Sequence, residues 1–363
     1  MRILVGISEQ GSRGGPAACE PPFIAELRRL GHEVDEEVYA FAEGDAGLTD
    51  RARRVLRTGR RLRARVSDGK FDLVHINTSF DTKALLRDSV VAPRLHGGGA
   101  KIFLKFHGSD ARLFTTKNPA LALACQRLLA HADGIGVLSS EERSSFLRAG
   151  VPERKVFQIK NVVGSNAHQR DPEFLQRWNL PSEVPLLLFI GRFIAAKGLL
   201  DVVRACAILR DRGQEFMLLC IGDGPARDDA EREVERLNLR EQVRFPGYIS
   251  EEQASAFHAN STVLLFPTYH YEGFPMVIFN AAVAGLPVIT TRIRAAADYL
   301  REPDNCLWVT PKQPSLLAEK IVDVLKDPEL RARMSRNNRQ LAAQFSAEIV
   351  TREYLEAYQT LVS

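Results

Sequence analysis

Short apolar runs alternate with longer amphipathic stretches along the whole chain. "RILVGI", "DLVHIN", "KIFLKFHG", "GIGVLS" and "KVFQIK" in the first half are dense in branched and aromatic residues, which predicts strands. The segments between them carry apolar residues three and four positions apart, which predicts helices. After "ERKVFQIKNVVGSNAHQR" the pattern breaks into a polar stretch. A second series then opens at "VPLLLFIGR" and runs through "FMLLCIGDG", "VRFPGY", "TVLLFP" and "PVITT". Strand and helix in alternation build parallel sheets covered by helices. Two such series predict two doubly wound α/β domains, joined near residues 161–183. Open sheets of this kind take ligands at the carboxyl ends of their strands, so two domains facing each other predict a cleft.

The helix signals agree with this layout. Ser250 and Gln253 form a plausible capping box before a helix ending near Asn260. Pro275 sits where a first-turn proline is tolerated, and Gly285 where the same helix must stop. The helix between them is apolar on every side, which predicts burial on every side. Its one polar side chain is Asn280, eight positions after Glu272. A buried amide needs a partner, because leaving it unsatisfied costs roughly 1–3 kcal/mol. Neighbouring backbone and a bound ligand both meet that requirement.

Composition then narrows the class. The 363 residues are 45% hydrophobic and 26% charged, enough for two ordinary cores. The opening "MRILVGIS" reads as a strand with no cleavage site after it, and no apolar run approaches a membrane span. Five cysteines, scattered without metal or redox spacing, fit a reducing compartment and predict a cytoplasmic protein. Charge is uneven: residues 1–170 hold 27 Lys and Arg against 19 Asp and Glu, and the remainder 22 against 26. Eight arginines fall in residues 50–65, around a stripe of Val55, Gly59, Leu62 and Val66. That stripe predicts a helix packed on the first domain with a basic outer face. Such a face, over residues 51–65, suits anionic lipid headgroups at the inner face of a membrane, or a phosphorylated acceptor. A plainly solvated basic helix is the alternative. No nucleic-acid motif accompanies the charge, so nucleic acid is not an expected partner.

Chemistry gathers at predicted strand ends. In "FIGRFIAAKGLL" a strand stops at Ile190, Gly191 turns the chain, and Arg192 and Lys197 flank the entry to a helix. Two cations at such a turn suit phosphate, Arg by bidentate contact and Lys as a point charge. "PTYHYEGFPMV" is a second turn of this kind, where the helix dipole favours an anion and Glu272 suits hydroxyls. Diphosphate beside hydroxyl-rich groups describes a nucleotide sugar. "LKFHGSDARLF" ends a first-domain strand with His107, Gly108, Ser109 and Asp110, and His107 is placed to reach into the cleft. "GISEQGSRGGPA" is a glycine-rich loop after the first strand, with the wrong spacing for a dinucleotide fingerprint.

Together these stretches resemble the family 4 retaining glycosyltransferases, the group 1 glycosyltransferases of the GT-B fold. "RGGPA", "RRLGHEV", "HGSD", "VLSSEE" and "IKNVV" fall in that family's order, followed by "GRFIAAKG", "IGDGP", "FPGYISEEQ", "EGFPMVIFNAAVAGLPVITT" and "DNCLWVTP". The resemblance covers nearly the whole chain. It implies a first Rossmann-like domain on the acceptor side over residues 1–165 and a second, holding a nucleotide sugar, over 166–345. The last helix, 346–363, would cross back to the first domain. Arg192 and Lys197 would hold the donor diphosphate, linked to UDP or GDP, and stabilise charge on the leaving group. Glu272 would bind sugar hydroxyls, and His107 would face the transferred sugar. Gly14, Gly15, Gly191, Gly273, Phe274, Pro275, Met276 and Val277 would line sugar and phosphate, with Tyr248 near the base. No metal or other cofactor is implied, because fixed cations do the work of a divalent ion.

Two departures stand out. Asn280 takes the place of the family's second glutamate, which contacts ribose hydroxyls, so Asn280 would meet the nucleotide. Arg294 and Ala295 stand where a Gly-Gly pair is common, and Asp298 where glutamate is common. The expected activity is retaining transfer of a hexosyl group to an acceptor hydroxyl, in cell-surface glycan or glycolipid assembly, with the acceptor anionic or lipid-linked. No covalent nucleophile is evident, and Asp110 is the one alternative participant. Two other readings stay open at this point: a nucleotide-sugar epimerase on the same architecture, and a catalytically weak sugar-nucleotide-binding protein.

Overall fold

The computed structural model describes residues 1–9, 15–40, 47–96, 98–164 and 171–363. Its chain forms two units. The first comprises Met1–Val162, Tyr271–Phe274 and Phe345–Ser363; the second comprises Val163–His270 and Pro275–Gln344. In the first, strands β1 (Arg2–Ser8), β2 (Glu33–Ala40), β3 (Leu73–Phe80), β4 (Lys101–Ser109), β5 (Gly134–Val137) and β6 (Val156–Gln158) alternate with helices. These are α1 (Gly15–Arg29), α2 (Leu48–Gly69), α3 (Thr82–Leu95), α4 (Pro119–His131) and α5 (Ser140–Arg148). All pairings are parallel, in the order β2-β1-β3-β4-β5-β6.

The second unit starts with a single turn, α6 (Phe174–Arg177). It continues β7 (Leu186–Ile190), α7 (Leu199–Asp211), β8 (Met217–Ile221), α8 (Arg227–Arg236), β9 (Val243–Gly247) and α9 (Glu251–Asn260). After β10 (Val263–Phe266) come α10 (Met276–Ala284), β11 (Val288–Thr290), α11 (Arg294–Tyr299), β12 (Cys306–Trp308), α12 (Pro314–Lys326) and α13 (Pro328–Ala342). Its sheet order is β12-β11-β10-β7-β8-β9, again parallel throughout. The final helix, α14 (Ala347–Val362), belongs to the first unit and packs on α1 and β4.

This topology places the candidate site. Chain order reverses between β1 and β3 in the first sheet and between β7 and β10 in the second. At such a reversal the two following loops diverge and leave a crevice at the strands' carboxyl ends. The loop after β7 carries Arg192 and Lys197, and the loop after β10 carries "TYHYEG". Strand sequences explain why they form the floor. Leu187, Leu188 and Phe189 of β7 are fully buried, as are Val263, Leu264 and Leu265 of β10, so the sheet is covered on both faces.

Helix ends follow the sequence closely. Ser250 and Gln253 form the expected capping box at α9. Gly285 caps α10 with φ at 70°, a left-handed conformation that costs glycine little. On α2, Leu62 and Val66 are buried and Val55 partly so, leaving the arginine face outward. The five cysteines are all buried, and none forms a disulfide among the described residues.

Candidate active site

In the second unit the site is built on Gly198 and the strand ends around it. A β-carbon on Gly198 would lie 2.6 Å from the Pro267 carbonyl oxygen, and its φ is 81°, so only glycine lets the β7 and β10 loops meet this closely. The seam is then sewn by hydrogen bonds. Tyr269 N and Thr268 Oγ1 both donate to the Ala196 carbonyl, at 2.8 and 3.2 Å. Thr290 Oγ1 donates to Phe266 O at 2.7 Å, and Thr291 Oγ1 donates to Thr268 O. Three adjacent strands thus hold one rigid rim, with Ala196 directly before Lys197.

Charge concentrates on that rim. Lys197 is only 6% exposed, and its Nζ lies 5.1 Å from the centre of the Phe266 ring. Burial, and then the neighbouring Arg192, pull its pKa down to about 7. Arg192 itself is exposed, and among the described residues its guanidinium makes no hydrogen bond or ion pair. His270 is half-buried and falls to about 4, through burial and then through Lys197 and Arg192. Burial first, and the two cations after it, keep this histidine neutral, and the same cations make the rim electropositive.

Helix α10 starts beside this rim. Pro275 is its N-cap and no side chain caps it, so the positive end of the helix dipole faces the rim. The expectation that α10 is buried on all sides is wrong. Met276, Val277, Asn280 and Val283 are partly exposed, whereas Ile278, Phe279, Ala281 and Ala282 are fully buried. Positions 276, 280 and 283 fall on one helical face, and that face opens to solvent although its residues are mostly apolar. Asn280 is therefore half-buried, and its side chain makes no hydrogen bond among the described residues. The amide has no backbone partner of the kind a core position would supply.

The two departures near α11 also acquire a physical account. Arg294 has φ at 47° and is 4% exposed. A left-handed backbone there explains why glycine suits the position, and a buried arginine occupies it instead. Ala295 is fully buried. Tyr248, after β9, is an exposed aromatic. Gly191 has φ at 150° and turns the chain out of β7.

In the first unit, Tyr271–Phe274 joins the end of β4. A β-carbon on Gly273 would stand 3.0 Å from the His107 carbonyl oxygen and 3.0 Å from Glu142 Oε2. One on Gly108 would stand 3.1 Å from Tyr271 O. The "HG" and "EG" dipeptides therefore pack glycine against backbone, which brings His107 and the segment bearing Glu272 together. Phe274 is buried, edge-on to Phe345 at 5.5 Å between centroids. Asp110 caps the turn that follows β4, accepting from Arg112 N at 3.0 Å and pairing with its guanidinium at 2.7 Å. Gly15 opens α1, while Gly14 lies outside the described residues.

Sequence reasoning missed what holds His107. Its Nε2 lies 3.1 Å from Asn77 Oδ1, which lies 3.2 Å from Nε2 of the buried His75. His75 Nδ1 in turn meets the hydroxyl of Tyr358 on α14. Burial, then Lys105, lowers the His75 pKa to about 3 and that of His107 well below its ordinary value. Glu142, from "VLSSEE", is also buried. It accepts from Ser109 Oγ at 2.9 Å, Ser139 Oγ at 2.9 Å and Leu138 N at 3.3 Å, so it fastens the β4 and β5 loops. A polar residue at an inward strand position was the only available signal for Asn77.

Comparison with known proteins fits this arrangement. Residues 171–341 match the model described as glycosyl transferases group 1, and residues 14–161 match that of the glycosyl transferase 4-like domain. An alpha-D-kanosaminyltransferase of Streptomyces kanamyceticus is 26% identical over 94% of this chain and 95% of its own length. A 2-deoxystreptamine N-acetyl-D-glucosaminyltransferase of Niallia circulans is 27% identical over 62% of this chain. The chain spans only 58% of that relative. Among solved structures, Anabaena HepE in complex with UDP superposes with a TM-score of 0.78, at 18% identity, covering 98% of this chain and 99% of that one. Sucrose-phosphate synthase from Thermosynechococcus elongatus gives 0.80 at 20% identity, over 99% and 98%. Two parallel six-stranded Rossmann-like sheets and these matches together place the chain in the group 1 glycosyltransferases, with the GT-B fold.

Proposed function

We propose that the chain transfers a hexosyl group from a nucleotide-diphosphate sugar to an acceptor hydroxyl with retention of anomeric configuration. The observation that carries this reading is the pairing of exposed Arg192 with buried Lys197 at the carboxyl end of β7, beside the N-terminal end of α10. Such a group binds a diphosphate and gains strength as its charge grows. Anabaena HepE, similar in fold, has been solved with UDP and with UDP-glucose. Those ligands support a UDP-linked donor, with GDP as the alternative base.

The residues divide the chemistry as follows. Arg192 and Lys197 hold the diphosphate, α10 amides approach it, and Asn280 reaches the ribose. Tyr248 lies toward the base, and Glu272 accepts from sugar hydroxyls. His107 faces the transferred sugar as a neutral imidazole. The bond between the anomeric carbon and the phosphate oxygen breaks as the acceptor oxygen bonds to the same carbon on the same face. The acceptor proton passes to the departing phosphate oxygen. Negative charge on that phosphate is what the two cations stabilise, and stabilising charge that develops in the transition state raises turnover. This route needs no covalent nucleophile, and Asp110 is already engaged by Arg112.

The acceptor belongs to glycan or glycolipid assembly and carries an anionic or lipid-linked group. Support comes from the exposed arginine face of α2 and from a relative named for a diphospho-undecaprenol acceptor. No helix of the described residues is long and apolar enough to cross a membrane, so contact through residues 51–65 would be peripheral, at the cytoplasmic face. The test is a panel of UDP- and GDP-sugars with lipid-linked and soluble acceptors. Release of nucleoside diphosphate together with an α-configured product from an α-configured donor, read from the anomeric proton coupling, is the expected result. An inverted product, an epimerised donor, or binding without turnover would each refute it.

A further inference from the structure

Asn77, His75 and His107 form a chain of hydrogen bonds whose direction is fixed at one end. Asn77 Nδ2 lies 3.2 Å from the carbonyl oxygen of Gly6. A carbonyl only accepts, so the amide nitrogen must face Gly6 and Oδ1 must face the two imidazoles. Turning the amide over would set two oxygens against each other in a buried site. Oδ1 carries two lone pairs and therefore accepts from both rings, His107 Nε2–H at 3.1 Å and His75 Nε2–H at 3.2 Å. Each ring is neutral and has one proton, which this places on Nε2. The other nitrogen of His75 then accepts from the Tyr358 hydroxyl, as the structure requires. The other nitrogen of His107 is a bare lone pair. It is shielded from solvent and meets no hydrogen-bond donor among the described residues.

We infer that Asn77 is a positioning residue that fixes His107 in the Nε2–H tautomer, so that Nδ1 offers substrate an acceptor for a hydroxyl proton. This rests on the reading that His107 faces the transferred sugar. A buried acceptor without a partner costs stability, and such costs collect at functional sites. An uncharged acceptor of this kind selects a hydroxyl and repels the oxygen of a carboxylate or phosphate. It also gives α14 a role in the reaction: Tyr358, 283 positions after His75, closes the chain that sets the tautomer. A misassigned tautomer elsewhere in enzymology removes catalysis while leaving geometry intact, which is the behaviour expected here.

The experiment is a long-range proton–nitrogen correlation spectrum of the histidine rings in the uniformly labelled full chain at pH 7, with His107 assigned through His107→Gln. His107 protonated at Nε2 is the expected result, and protonation at Nδ1 or an even mixture overturns the inference on the wild type alone. Asn77→Ala should redistribute the proton and lower kcat on the order of tenfold, while donor KM and UDP affinity by calorimetry stay within about twofold. Unchanged kcat in a folded Asn77→Ala protein overturns it equally. Asn77 is only 3% exposed, so Asn77→Asp guards against a variant that fails to fold. Its protonated carboxyl can donate to the Gly6 carbonyl and keeps an acceptor for both Nε2–H groups, so it should retain the tautomer. Its ionisation, which sets an anionic oxygen against Gly6 O, should add a step to the pH profile. Asn77→Asp with the tautomer lost also counts against the inference. Failure of the donor reading is separate: it appears as wild-type protein that binds no UDP, whatever the tautomer.

Discussion

Gly273 lies against His107 so closely that any β-carbon on it would stand 3.0 Å from the His107 carbonyl oxygen. Two stretches that the sequence singles out separately, 166 positions apart in number, are thus one surface in the first unit. Backbone cannot retreat as a flexible side chain does. Gly273→Ala should therefore destabilise the protein by about 1–3 kcal/mol, the usual cost of overpacking, and should lower turnover. Thermal unfolding checks it. A melting temperature equal to that of the wild type would mean that the two loops do not pack as described.

The depressed Lys197 pKa gives a pH dependence with a defined sign. With a folded value of about 7 and an ordinary value of 10.5, the unfolded chain holds a proton between those limits that the folded chain lacks. Stability from this group therefore rises with pH across that window. A diphosphate reverses the preference, because it favours the charged amine. Binding takes up a proton above pH 7, and UDP affinity should fall with pH between 7 and 9, approaching tenfold per unit. Calorimetry in buffers of different ionisation enthalpy reads the proton directly. Lys197→Met should abolish that uptake, and a wild type without it would contradict the assignment.

Asn280 makes no hydrogen bond among the described residues and stands on the open face of α10. Asn280→Leu should leave stability within about 0.5 kcal/mol, as for surface substitutions away from special features. It should weaken donor binding by about 1 kcal/mol, the worth of one neutral hydrogen bond. The wild type should prefer a ribose donor to its 2′- or 3′-deoxy form by the same amount, and Asn280→Glu should bind ribose at least as well. Equal affinities for all the wild-type donors would remove Asn280 from the nucleotide site.

The basic face of α2 is narrower than its sequence suggests. Arg61 pairs with Glu37 at 2.5 Å and Arg65 with Asp35 at 3.1 Å, so acids of β2 answer the charge of these two exposed side chains. Arg57 and Arg60 are exposed, as is Arg53, which lies 3.7 Å from Asp50 at the helix start. Neutralising these three should release the protein from anionic vesicles at low salt without changing UDP affinity. Equal sedimentation of wild type and variant would leave α2 a solvated helix.

What the sequence makes legible depends on whether the signal is local. Strand β7 is legible because Leu187–Phe189 are all buried, so the run is continuously apolar. Strand β2, "EVDEEVYA", is not legible from pattern, because it is an edge strand whose acids answer Arg2, Arg28, Arg61 and Arg65. Its entry shows only through family resemblance. Arg192 and Lys197 are legible because a strand end and a turn mark their place. Asn77 is not, since its meaning depends on His107 and on a tyrosine at the far end of the chain. The burial of Asn280 is misread for a related reason: side-chain type along α10 reports its composition, and only packing reports which face is covered.

The central claim is that the second unit binds a sugar-nucleotide diphosphate through Arg192 and Lys197. Calorimetric titration of UDP into wild type, Arg192→Ala and Lys197→Ala at pH 7 tests it most directly. The account predicts measurable binding by the wild type and a loss of about 1.5–3 kcal/mol in either variant, the scale of a hydrogen bond to a charged group. Wild-type affinity retained in both variants would contradict it.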